Sequence, residues 1–242
     1  MKRPAPYVFL GVFFAALWLG TSVHAQESQP SVSVIDDFEQ YEAGGYPTEW
    51  VRVDGKNKVR GVEEVLEEGE RFEILEEGGN QFVRLYTKNE YIRFSQRNGK
   101  EFDWNLNEHP RLKWRWRALH LPKGASEKNK NDTGGSVYVT FGTDWLGRPK
   151  SIKYTYSSTL PVGTTVSFGP LKVIVVESGN EPRTGTWKTE VRHVANDYRQ
   201  VFGEAPPDRP VSITLSGDSD STHDESKVDI DDLTILRSHR SR

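Results

Sequence analysis

Leu112-Lys113-Trp114-Arg115-Trp116-Arg117-Ala118 is the stretch on which the fold turns. Neighbouring side chains in a strand point to opposite sides, so Leu112, Trp114, Trp116 and Ala118 share one face and Lys113, Arg115 and Arg117 share the other. Such alternation describes a strand with a buried tryptophan face and a wet cationic face. Outward from it, short runs rich in β-branched and aromatic residues recur: Val32 to Phe38, Phe72 to Leu75, Phe82 to Tyr86, Tyr91 to Phe94, Ser136 to Phe141, Ile152 to Tyr156, Leu171 to Val176, Thr189 to Val194, Val211 to Leu215 and Val228 to Leu236. Most are punctuated by Gly, Pro, Asn or Asp, as at Gly78-Gly79-Asn80 and Gly134-Gly135. The pattern predicts an all-β fold, an antiparallel two-sheet β-sandwich of jelly-roll type. One helix is expected at Val194 to Gly203, where Val194, Tyr198, Val201 and Phe202 fall on one face and Gly203 with Pro206-Pro207 stops the run.

The chain has 242 residues, is 35% hydrophobic and 28% charged, and contains no Cys. Disulfide staples, thiolate metal sites, iron–sulfur clusters, a Cys nucleophile and a Cys-linked lipid anchor are therefore excluded. A formal charge of −3 with interleaved signs gives no basic field for nucleic acid.

Met1-Lys2-Arg3 is a cationic start, Tyr7 to Leu19 an apolar run, and Val23-His24-Ala25 a small-residue cleavage site. Residues 1–25 read as a secretory signal peptide, and the apolar run is short for a membrane span of about 20 residues. Export to the periplasm or the cell exterior is expected, with no membrane span after cleavage. Removing this segment takes two cations and no acid, leaving 30 Lys and Arg against 35 Asp and Glu. Residues 26–33 read as a flexible leader, 34–236 as one sandwich domain and 237–242 as a basic tail. Lys123 to Asp132 reads as an exposed, mobile polar loop.

In Lys188-Thr189-Glu190-Val191-Arg192 the charged residues alternate with Thr and Val. If this strand shares a sheet with the tryptophan strand, their polar faces would join Lys113, Arg115, Arg117, Glu190 and Arg192 into one charged floor. Such a floor is either a solvated surface laced with ion pairs or a ligand surface working through bidentate Arg contacts. Arg115, Arg117, Glu190 and Arg192 are the candidate hydrogen-bonding residues, with Tyr156 or Trp145 as a stacking surface. An Arg neighbour is expected to keep Glu190 ionised, which suits binding better than proton donation. Asp37, Glu39, Asp218, Asp220 and Asp231 lie in acidic clusters at both ends of the domain, and oxygen ligands of this kind suit a structural calcium where terminal strands meet. Turn capping explains the same acids without a metal. No zincin, Gly-x-Ser-x-Gly or phosphate-loop motif is present.

Several segments resemble a bacterial secreted domain-of-unknown-function family, numbered three thousand and forty-seven. They are Leu112 to Trp116, Val137 to Phe141, Tyr154-Thr155-Tyr156, Val175 to Gly179, Trp187 with Glu190 and Arg192, Asn196-Asp197-Tyr198, Phe202 to Pro207 and Asp218 to Thr222. The resemblance implies a single periplasmic sandwich domain and no assigned activity. The chain departs from the family pattern at Ser136, where the family tends to carry Arg, at Tyr156, where it carries Trp, and at His193 and Ser221, where it carries Asn. Asp36-Asp37-Phe38-Glu39 with Asp231-Asp232-Leu233 is also similar to jelly-roll carbohydrate-binding modules, in which the termini pair beside a structural calcium. The readings that follow are a non-catalytic binder of a glycan or another envelope component, a hydrolase or lyase acting on polysaccharide with Glu190 or Asp197 as acid or base, or a structural envelope protein.

Overall fold

A computed structural model describes Met1 and residues 32–54, 58–128, 132–179 and 185–238. Apart from Met1, the proposed signal peptide and its cleavage site lie outside the described residues. In chain order the elements are β1 (Val32–Asp36), β2 (Val51–Asp54), β3 (Lys58–Gly61), β4 (Glu70–Glu77), β5 (Asn80–Lys88), β6 (Tyr91–Arg97), β7 (Arg111–His120), β8 (Thr133–Thr143), β9 (Pro149–Ser157), β10 (Thr165–Phe168), β11 (Leu171–Ser178), β12 (Lys188–Arg192), α1 (Val194–Phe202), β13 (Ser212–Asp218) and β14 (Glu225–Leu236). One sheet runs β12-β7-β14-β5-β4, with β1 also on β14; the other runs β10-β11-β9-β8-β13-β6-β2-β3.

The all-β sandwich with one short helix is the fold the sequence predicts. Pairing is antiparallel except between β9 and β11, which run parallel because the β10 hairpin intervenes and returns the chain in the same direction. The leader is shorter than expected. Val32 and Ser33 already pair with Leu236 and Ile235, so terminal-strand pairing draws them into the sheet.

The core lies between the sheets. Trp114 and Trp116 are fully buried, edge to face at 5.4 Å, and pack across the gap on Tyr154 at 5.6 Å and Tyr156 at 5.3 Å. A second aromatic file, Phe38, Trp50, Phe72 and Phe94, fills the other end. Burial on this scale holds the domain together without disulfides, since each large apolar side chain contributes about 1.5–3 kcal/mol. Asp36 fastens the N-terminal turn. Its buried carboxylate accepts from the Phe38 amide (2.8 Å), Gln40 (3.2 Å), the Tyr41 hydroxyl (2.8 Å), the Trp50 indole (2.7 Å) and Gln96 on β6 (2.8 Å).

The 123–132 loop departs from expectation. Ala125, Glu127 and Asp132 are fully buried. Glu127 accepts from Thr155 Oγ1 at 2.9 Å and Ser157 Oγ at 2.6 Å, which ties the loop to β9.

Candidate functional site

The expected charged floor does not form, because the β12–β7 register splits it. Lys188 lies opposite Trp116, Glu190 opposite Trp114 and Arg192 opposite Leu112, so all three charged residues share the face of the buried tryptophans. Thr189 and Val191 take the outer face with Arg115 and Lys113, and Val191 is 47% exposed. An edge strand at the mouth of a sandwich permits this inversion, because its inward side chains need not meet the opposite sheet and can still reach water. The candidate residues therefore belong to two places.

On the outer face, Arg115 and Arg117 are already paired. Arg117 Nε donates to Asp229 at 2.8 Å and its Nη1 lies 2.6 Å from Glu77. Asp229, itself fully buried, also receives two bonds from Arg84 at 2.7 and 2.9 Å. Arg115 donates to Asp231 (2.5 Å) and Asn80 (2.7 Å), and lies 3.1 Å from Asp232. Trp187 covers both guanidiniums, each 4.8 Å from its ring centre. This is a saturated lattice, and its donors are committed.

At the mouth the arrangement is different. Tyr154 and Tyr156 of β9, Glu177 of β11, Lys188, Glu190 and Arg192 of β12 and Asp197 of α1 converge beside Trp114 and Trp116. A bulge in β11 at Val176 sets Glu177 opposite Tyr156, facing this slot. Glu177 pairs with Lys188 at 2.6 Å, and Lys188 lies 5.8 Å above the Tyr156 ring. Arg192 grips Asp197 with two bonds, 3.0 and 2.7 Å, and Asp197 also accepts from Tyr154 Oη at 2.9 Å. Those three bonds occupy the buried Asp197, which makes it a positioning group and not the acid or base considered above. α1 presents it, capped by His193 accepting from the Asn196 amide and stopped by Gly203 at φ 74°.

Glu190 is the exception. Burial and the nearby Glu177 carboxylate push it up to about 7, against the opposing pull of Arg192, Trp116 and Lys188. The expectation that Arg192 keeps it ionised fails, because Arg192 is turned to Asp197. The buried Trp116 indole N–H is directed at the Glu190 carboxyl without full hydrogen-bond geometry, and the buried Trp114 indole N–H has no acceptor. Tyr156 is only 5% exposed and packs inward, tilted, on Trp116, so it is a wall of the slot and not an open platform. Trp145, by contrast, is 88% exposed on the β8–β9 turn.

The candidate metal ligands also separate. Asp37 and Glu39 sit on the turn after β1, where Glu39 accepts from the Gln81 amide at 2.8 Å. Asp231 belongs to the Arg115 lattice. Asp218 and Asp220 do come together, with Asp132 as the third member, and one carboxylate oxygen from each lies within 4.8 Å of the others. Asp218 Oδ1 is buried without a partner, and burial with the Asp220 and Asp132 charges raises its carboxyl to about 7 although Lys153 opposes them. Asp132 was not foreseen: it lies 86 positions before Asp218 in a loop read as exposed. Glu177, Lys188 and Tyr154 were likewise missed, since nothing in one strand announces what faces it across a slot.

Residues 62–234 match the family described as Protein of unknown function (DUF3047). The chain belongs to that family. No curated protein matches it. Among solved structures, it is similar to a family 11 carbohydrate-binding module of a cellulosomal cellulase of Clostridium thermocellum (TM-score 0.41, 10% identity, covering 87% of this chain and 97% of that one). A family 30 module of another cellulosomal cellulase of the same organism scores 0.41 at 11% identity, covering 82% and 96%. The xylan-binding domain CBM22-1 of a Paenibacillus barcinonensis protein scores 0.38 at 11% identity, covering 87% and 97%.

Proposed function

We propose that this DUF3047 protein is an exported, non-catalytic glycan-binding domain whose ligand enters the slot at the β12 edge. The observation that carries the reading is Glu190: a partly buried carboxyl with unused hydrogen-bonding capacity, set among tyrosine and tryptophan rings and buried indole donors. Undercompensated acids of this kind concentrate at functional sites. A sugar offers hydroxyl pairs for Glu190, Glu177 and Lys188 and an apolar ring face for aromatic edges. A glycan array on the mature protein, run with calcium, should show binding that falls about tenfold or more in Glu190→Gln. An array at background for both proteins would count against it.

A second reading rests on the same group. A carboxyl held near 7 is half protonated at neutral pH and is a candidate proton donor to a glycosidic oxygen. Turnover of envelope polysaccharide that vanishes in Glu190→Gln, with binding retained, would establish that reading over the first.

The calcium reading keeps Asp218 and Asp220 and adds Asp132 in place of Asp37, Glu39 and Asp231; a hard cation would relieve the mutual repulsion and partnerless oxygen of these three. Calcium should raise the melting temperature of the wild type and leave Asp220→Asn unmoved, while equal behaviour of the two would retire the site. Export is tested by the N-terminus of protein recovered outside the cytoplasm, which should begin at Gln26.

A further inference from the structure

Away from the slot, a cleft of about 430 Å³ lies between the β8–β9 turn, the β10–β11 turn and the end of α1. Its tall wall is Trp145. The turn that carries this indole is firmly built: the Asp144 carboxylate accepts from the Leu146 and Arg148 amides at 3.0 and 2.8 Å and from Arg148 Nε at 2.8 Å. Gly147 supplies the left-handed residue, at φ 77°. An exposed tryptophan on an ordered turn is a stacking surface whose conformational cost is already met in the free protein. The floor is Phe202, packed on Tyr198 at 4.6 Å.

The charge of this cleft runs against that of the chain. Arg148, Lys150 and Lys172 line it, and Asp144 is the single acid in the lining. Asp144 is bound to Arg148, and Lys150 pairs with Glu204 at the rim. Lys172 has no carboxylate partner among the described residues. Its Nζ and that of Lys150 stand 5.7 and 4.5 Å from the Phe202 ring centre. An aromatic wall and ammonium groups line the same cleft.

We propose that this cleft is a second ligand site and that it takes an acidic sugar, a uronate-type residue of a polysaccharide. The ring face stacks on Trp145, and the sugar carboxylate meets Lys172 and Lys150. A neutral sugar would use only the indole and a bare anion only the ammonium groups. The concave shape favours a ring-sized ligand over a bilayer surface. The inference does not depend on the slot at Glu190.

The mature protein is titrated by calorimetry with an oligogalacturonate, a neutral cello-oligosaccharide and vesicles containing an anionic phospholipid. Oligogalacturonate should bind, more weakly as salt rises, with affinity reduced about tenfold or more in Trp145→Ala and in Lys172→Glu and unchanged in Glu190→Gln. An unchanged melting temperature verifies that both cleft variants fold. Equal affinity for the neutral oligosaccharide, binding only to vesicles, binding indifferent to Trp145→Ala, or no binding of oligogalacturonate would each overturn the proposal. Loss of oligogalacturonate binding in Glu190→Gln would transfer the acidic sugar to the slot and overturn it equally.

Discussion

Charged residues on the two faces of the β7–β12 pair meet opposite fates. On its outer side Arg115 and Arg117 meet buried carboxylates at Asp231 and Asp229 and lie under Trp187, so that each charge has its counter-charge. On its inner side, at the β12 edge, Glu190 is drawn into the sandwich mouth with its natural partner Arg192 diverted to Asp197. The outer face has more charge and the slot has more unmet demand. Charge density marks a lattice, while incomplete pairing in a partly dry place marks a site, because only the latter leaves free energy for a ligand to supply.

The largest test breaks the lattice. Asp229 serves both Arg84 and Arg117, whose side chains are 22% and 10% exposed. Asp229→Ala would leave Arg84 without its carboxylate and Arg117 with only the exposed Glu77, and we expect a loss of about 3–5 kcal/mol of stability, read by urea denaturation. A loss below about 1 kcal/mol would mean that solvent already screens the lattice and that the contrast with the slot is overstated.

The next test sharpens the slot. A carboxyl raised to about 7 in the folded protein holds its proton longer than in the unfolded chain. Its contribution is therefore fully present below the ordinary Glu range and is lost as pH rises through about 7. Glu190→Gln should leave stability unchanged near about pH 4 and raise it by on the order of 1 kcal/mol near about pH 8, after allowing for partial solvent screening. Asp218 titrates in the same window, so the comparison must be between variant and wild type and not between pH values alone. A carboxyl-carbon NMR titration of Glu190 with its midpoint near 4.5 would remove the premise.

How much of this was legible before the structure follows the same division. Trp114 and Trp116 announce their buried face because apolar and charged residues alternate without ambiguity, and Val194 to Gly203 announces its helix by spacing and stop. The faces of β12 were not legible. Lys188, Glu190 and Arg192 look like a solvent side and Val191 like a core side, and the edge position reverses both. The convergence of Asp132 with Asp218, and of Glu177 with Lys188, depends on strand order and a bulge, which local composition does not encode. The exposed Trp145 was legible as an aromatic beside Arg148 and Lys150, but the approach of Lys172 from β11 depends on strand order and was not.

The smallest expected effect isolates burial from pairing. Glu225 and Asp229 lie four residues apart on β14, and each faces a cation directly across on β5: Lys88 opposite Glu225 and Arg84 opposite Asp229. The Lys88–Glu225 pair spans 3.3 Å, with side chains 64% and 36% exposed, whereas Asp229 is 0% exposed. Strand, sheet and cross-strand register are shared, so the difference between the two pairs lies in the solvent around them and in the second guanidinium, Arg117, that Asp229 also holds. Lys88→Ala should change stability by no more than about 0.5 kcal/mol, because water replaces the lost ammonium at little cost. A loss comparable with that of Asp229→Ala would show that cross-strand pairing itself, and not desolvation, stabilises this sheet, and the distinction between lattice and slot would then have to be drawn on geometry alone.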